Sequence, residues 1–294
     1  MSINTQPSKA VHQAVGQRGF TLVELILVIV IMGVIGGVVA VFMRSPIDAY
    51  FATARRVGLA DAADTTVRRM SRDIRKALPN SLRQSLPAGV ADNQCIEFIP
   101  TRTGGRYRNE DIASGDNTAL RFDAADSMFN MLGRNADLPL DQQIRLNDIV
   151  AVYNLGITGS DAYARDNTAV VNAAVIPSPF NADETQLSIT AAAAFPLESG
   201  TRRFHVIPGD ETVVSYVCSN NQLFRNSNYA LGTSCPVPGA TTPVIASVES
   251  CNFTYNAVDI RNAVVQLELT LRSADGVAGE TVSIYHEVHV NNTP

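Results

Sequence analysis

The polarity pattern of the chain changes twice. Residues 18 to 43, RGFTLVELILVIVIMGVIGGVVAVFM, are apolar except for Arg18, Thr21 and Glu24 near the start. From Leu25 to Met43 run 19 uncharged residues, about 28 Å as helix and close to the hydrocarbon thickness of a bilayer. This predicts a single membrane-spanning helix. After Pro46 the pattern turns periodic: Val57, Ala60, Ala63, Val67, Met70, Ile74 and Ala77 recur at steps of three and four, with arginines and aspartates on the other faces. Proline restricts the residue before it, so Leu78-Pro79 marks a helix end. One long helix is therefore expected from Phe20 to near Leu78, with Pro46 as its point of kinking.

Beyond the helix the pattern becomes short and β-rich. Strands are expected at 95–99, 119–122, 149–153, 186–190, 204–207, 212–218, 251–255, 264–272 and 281–290. The last two alternate clearly and are joined by SADGVAGE, whose Asp275-Gly276 is a turn dipeptide, so they read as a hairpin. Asn-, Asp- and Gly-rich segments such as RNEDIASGDN and GSDAYARDNT are too polar to bury and read as loops. A helical stripe followed by antiparallel strands predicts an α+β head, the sheet packed on the stripe. The expected organisation is a leader over 1–19, a membrane span over 20–43, its amphipathic continuation over 44–82 and a β-rich head over 83–294.

Composition narrows the functions. With 46% hydrophobic and 17% charged residues the chain can fold, and a net charge of −5 without a long basic run gives no footprint for nucleic acid. Lys9 and Arg18 before the apolar run place that flank in the cytoplasm, so the head is expected on the exported side. Four cysteines on that side point to disulfides. Cys218 and Cys235 bracket a segment with few large apolar side chains, and Cys95 and Cys251 each begin a β-rich run. The expected pairs are therefore Cys218 with Cys235 and Cys95 with Cys251, among three possible connectivities.

A short basic leader ending in Gly19, then Phe20-Thr21-Leu22-Val23-Glu24 and an apolar helix, resembles the type IV prepilin signature shared by pilins and the pseudopilins of type II secretion. The resemblance implies that a membrane prepilin peptidase cuts after Gly19 and methylates the new amino terminus on Phe20. It also accounts for Glu24, since an ionisable side chain in hydrocarbon costs at least ~2.5 kcal/mol. The positive amine on Phe20 of a neighbouring subunit would pair with it, and wrong registers would leave both charges unpaired. The alternative is that Glu24 pairs with its own amine, four residues away. Gly33 and Gly37 form a G-x-x-x-G face suited to close helix contact.

The helix segment LADAADTTVRRMSRDIRKALPNS resembles that of J-type minor pseudopilins. CIEFIPTRTGGRYR, VSYVCSNNQLFR and SIYHEVHVNNTP resemble biogenesis proteins of the mannose-sensitive haemagglutinin pilus. The resemblance implies a minor subunit of a type IV pilus that primes or caps the fibre, and major pilins of the family are nearer half this length. Its partners would be the prepilin peptidase, major and minor pilins, the assembly platform and the inner membrane, with the head in the periplasm or in a surface pilus. A type II secretion pseudopilin and a tip adhesin are the competing readings. The absence of tryptophan and the 6% aromatic content weigh against sugar binding by an adhesin.

No nucleophile motif, phosphate loop or convergent acid pair is visible, so no enzymatic activity and no cofactor are expected. His286 and His289 stand three apart on an expected strand and therefore point to opposite faces, which argues against a metal site. Glu110, Asp111, Asp116 and Asn117, or Asp161, Asp166 and Asn167, supply oxygens of the kind calcium uses, without matching a defined calcium loop.

Overall fold

The computed structural model describes residues 19–84, 94–191, 194–227, 229–230, 235–257, 262–273 and 280–294. Its order is one long helix, α1 (Leu22–Ile74), followed by strands. Contacts divide the chain into a first unit, Met1–Ala54, and a second, Arg55–Pro294. Pro46 lies inside α1, and the helix continues through it. The helix closes at its far end as the N–H groups of Lys76 and Ala77 bond three residues back, to Asp73 and Ile74. The N–H of Leu78 then donates to the carbonyl of Ile99 at 2.8 Å, turning the chain onto the first strand.

In the second unit, β1 (Cys95–Phe98), β9 (Val214–Ser219), β10 (Gln222–Ser227), β11 (Val244–Ala257), β12 (Asn262–Arg272) and β13 (Thr281–Asn291) form one sheet in that spatial order. Every neighbouring pair is antiparallel. The β9–β10 hairpin turns on Asn220 and Asn221, both at positive φ (50° and 61°), a conformation asparagine tolerates and a two-residue hairpin requires. The β12–β13 pair matches the expected hairpin, with Arg272 opposite Thr281, while its Asp275-Gly276 turn falls outside the described residues.

The stripe of α1 packs on this sheet: Ala63, Val67, Met70 and Ile74 share a core with Phe98, Tyr216, Phe253, Leu267 and Val288. Its earlier part is rotated from the expectation. Val57 is 63% exposed and Ala60 is exposed, whereas Leu59 packs against the core. The buried row runs through Leu59, Ala63, Thr66, Val67, Met70, Ser71 and Ile74, and it includes two hydroxyls that the helix itself satisfies. Thr66 donates to the carbonyl of Ala62, and Ser71 to that of Val67, both at 2.7 Å.

A second, separate sheet departs from the expected single layer. It orders β2 (Thr103–Arg106), β8 (Arg203–Ile207), β4 (Ile149–Val152), β5 (Thr168–Val171), β7 (Glu184–Ala191) and β3 (Met128–Leu132), with β6 (Ile176–Pro177) also paired to β7. Its β4, β7 and β8 lie where strands are expected, at 149–153, 186–190 and 204–207. Beyond β2, Tyr107 bridges to Met131, and the N–H of Arg108 donates to the carbonyl of Asn130 at 3.0 Å. The two edges are thereby joined and the sheet closes around its own core of Tyr107, Phe129, Leu187, Ile189, Phe204 and Val206. Residues 119–122 are not the strand expected of them. Ala119 and Leu120 are buried, but their N–H groups bond to the Asp111 carboxylate and to the Arg108 carbonyl in a loop.

The cysteine expectation is also corrected: the disulfides join Cys95 to Cys235 and Cys218 to Cys251. Strand alternation explains this. Cys95 lies directly opposite Val217 and shares its side of the sheet, where Cys235 completes a small cluster. Cys218, one residue on, faces the opposite side and joins Cys251 in the core under α1. Pairing Cys218 with Cys235 would require a bridge through the sheet.

Buried charge is matched locally. Glu97 is fully buried, bonded to Arg83 and accepting a hydrogen bond from the Tyr229 hydroxyl at 2.6 Å. Burial and the Glu97 charge hold the Tyr229 phenol above its ordinary pKa. Asp73 of α1 accepts from Tyr216 at 2.8 Å and Arg225 at 2.9 Å, tying the helix end to β9 and β10. His205, in β8, lacks such a partner. Its Nε2 is buried without a hydrogen bond, and burial, with Arg203 nearby, lowers its pKa to about 4. The unfolded chain takes up that proton near pH 6.5. Stability is thus fully present above about 6.5 and declines as pH falls to about 4, by roughly 2 to 3 kcal/mol. His205→Asn is expected to flatten that portion of a melting-temperature profile against pH.

Candidate processing and assembly segment

In the first unit, Gly19, Phe20 and Thr21 precede the helix, which opens at Leu22. Thr21 caps it. Its Oγ1 accepts the N–H of Glu24 at 3.3 Å and its carbonyl accepts the N–H of Leu25 at 3.2 Å. Thr21-Leu22-Val23-Glu24 is thus a capping-box sequence, with Phe20 and Leu25 at the two positions of a hydrophobic staple. The T-x-x-E spacing of Thr21 and Glu24 is the sequence signal of this cap. Glu24 also lies in the first turn, where the helix dipole favours a negative charge.

Two consequences follow for the expected site residues. Phe20 stands outside the helix at 79% exposure, so the uncleaved chain does not place it on one helical face with Glu24. Gly19 meets nothing within 4 Å of where a side chain would begin, and the Gly19–Phe20 peptide bond is accessible. Among the described residues Glu24 is exposed and makes no ion pair. Along Leu22 to Met43 every large apolar side chain is exposed, and Gly33 and Gly37 leave their G-x-x-x-G face open. This helix is long and apolar enough to cross a bilayer.

The remaining expected sites do not converge. Asp116 accepts from the N–H groups of Ala113 and Thr118, and Asp111 from Ala119 and Arg121. Asp161 accepts the N–H of Tyr163, Asp166 that of Gly159, while Asn167 is buried and donates to Val152. These carboxylates shape their own loops, and the described residues contain no group of three or more His, Cys, Asp or Glu suited to a metal ion. On β13, His286 is half-buried on the helix side and His289 is exposed on the other, as alternation requires.

Comparison with protein-family models matches residues 15–40 to the prokaryotic N-terminal methylation motif. That match contains Gly19, Phe20 and Glu24 and most of the bare helix. No curated protein and no solved structure matches the chain. The motif heads an apolar helix followed by antiparallel sheets, a pilin-like architecture, in which the motif implies processing by prepilin peptidase and the helix suggests a membrane anchor.

Proposed function

We propose that the chain is a minor subunit of a type IV pilus, held in the inner membrane with its head in the periplasm until it joins other pilins to prime or cap the fibre. The observation that carries this reading is the accessible Gly19–Phe20 junction heading an unburied apolar helix, with Glu24 in the first turn. Cleavage frees an amine on Phe20, and methylation keeps it charged. In a bundle of such helices that amine meets Glu24 of a neighbour and fixes the axial step. The resemblance of the head segments to protein O of mannose-sensitive haemagglutinin pilus biogenesis favours the pilus over a type II secretion pseudopilin. Deletion of the gene, with surface pili and secreted proteins counted, tests the choice. Loss of pili with secretion intact is expected. Lost secretion would favour the pseudopilin, and normal pili without adhesion a tip adhesin.

A further inference from the structure

The second unit carries a charged groove that the assembly segment does not use. It has a volume of about 900 Å³, with Val67, Ser71 and Ile284 among its lining residues. Its helix wall presents Arg69, Arg72, Arg75 and Lys76, all exposed, and none has an ion-pair partner among the described residues. The same helix does pair other charges: Arg68 bonds Asp64 at 2.6 Å, and Asp73 is bound by Arg225. Four cations within eight residues, without an ion pair among the described residues, repel one another, and they stand out in a chain of net charge −5.

The opposite wall is β13, the last strand of its sheet. Among the described residues β13 pairs only with β12, so its outer edge offers 11 residues of extended backbone with open hydrogen-bonding groups. The sheet's other edge is covered, because Arg83 and Glu97 exchange backbone hydrogen bonds at 2.9 Å. An open strand edge accepts an extended segment, and a row of cations beside it selects acidic side chains.

We infer that this groove binds an extended, acidic segment of a partner protein, which adds as a strand to β13 while its carboxylates pair with Arg69, Arg72, Arg75 and Lys76. The inference is independent of prepilin processing.

The test uses the full chain in detergent micelles and a fluorescent eleven-residue peptide alternating glutamate and valine, followed by anisotropy. Binding that weakens with added salt is expected, with at least a tenfold loss in the double variant Arg69→Ala/Arg72→Ala. Both arginines are exposed, so the variant's melting temperature should stay that of the wild type. A peptide with prolines at alternate positions, which cannot donate strand hydrogen bonds, should bind at least tenfold more weakly. Equal binding by the double variant, equal binding of the proline peptide, or no binding at all would overturn the inference. So would tighter binding to vesicles of anionic phospholipid than to the peptide, because the cations would then serve a lipid surface.

Discussion

Replacing Glu24 by valine is expected to leave membrane insertion intact and to cut filament assembly well over tenfold. In the proposed packing the carboxylate meets the Phe20 amine of a neighbour, and leaving one member of a buried pair alone costs roughly 3 to 5 kcal/mol. Insertion of the single chain moves the other way, because a residue costly in hydrocarbon has been removed. The capping geometry at Thr21 supplies a sharper variant. Glutamine can serve at the third position of a capping box as glutamate does, but it carries no charge. Glu24→Gln therefore preserves the helix start and removes the ion pair. Pili should be as scarce with glutamine as with valine. Normal piliation with glutamine would assign Glu24 to capping alone.

The second large effect concerns the disulfides. By loop-closure entropy, Cys95–Cys235, with a separation of 140 residues, contributes ~5 kcal/mol, and Cys218–Cys251, with a separation of 33, ~4 kcal/mol. Both are large against the net stability of a typical domain. Paired alanine substitution at Cys95 and Cys235 should therefore lower the melting temperature of the head more than the same change at Cys218 and Cys251. Cys95 and Cys235 are also almost wholly buried, so their removal leaves a cavity as well. Non-reducing peptide mapping should recover Cys95 joined to Cys235. A Cys218 peptide joined to Cys235 would contradict the register of β1 and β9.

What the sequence revealed and what it concealed divide along physical lines. The apolar run and the stripe of α1 were legible because a helical period repeats over many turns, and β12 and β13 because alternation persists over 11 residues each. Three strands of the second sheet, β4, β7 and β8, lie at expected strands, but β2, β3, β5 and β6 were not legible, since β2 is Thr-Gly-Gly-Arg and the other three have five, four and two residues, too short for a period to declare itself. Residues 119–122 misled for a related reason, their apolar side chains being buried from a loop. At the start of α1 the charge of Glu24 drew attention from its spacing to Thr21, where the cap was written. Cysteine pairing depended on which face of β9 each sulfur takes, and that is settled only once Cys95 stands opposite Val217.

The amino terminus of the mature protein tests the central claim most directly. The protein purified from membranes should begin at Phe20 with one methyl group on its nitrogen, as intact-mass and terminal-peptide mass spectrometry would show. Gly19→Val, which sets a bulky side chain beside the cut, should yield only the longer precursor. A wild-type chain recovered with residues 1–19 still attached, or cut beyond the apolar run after Met43, would contradict a prepilin origin.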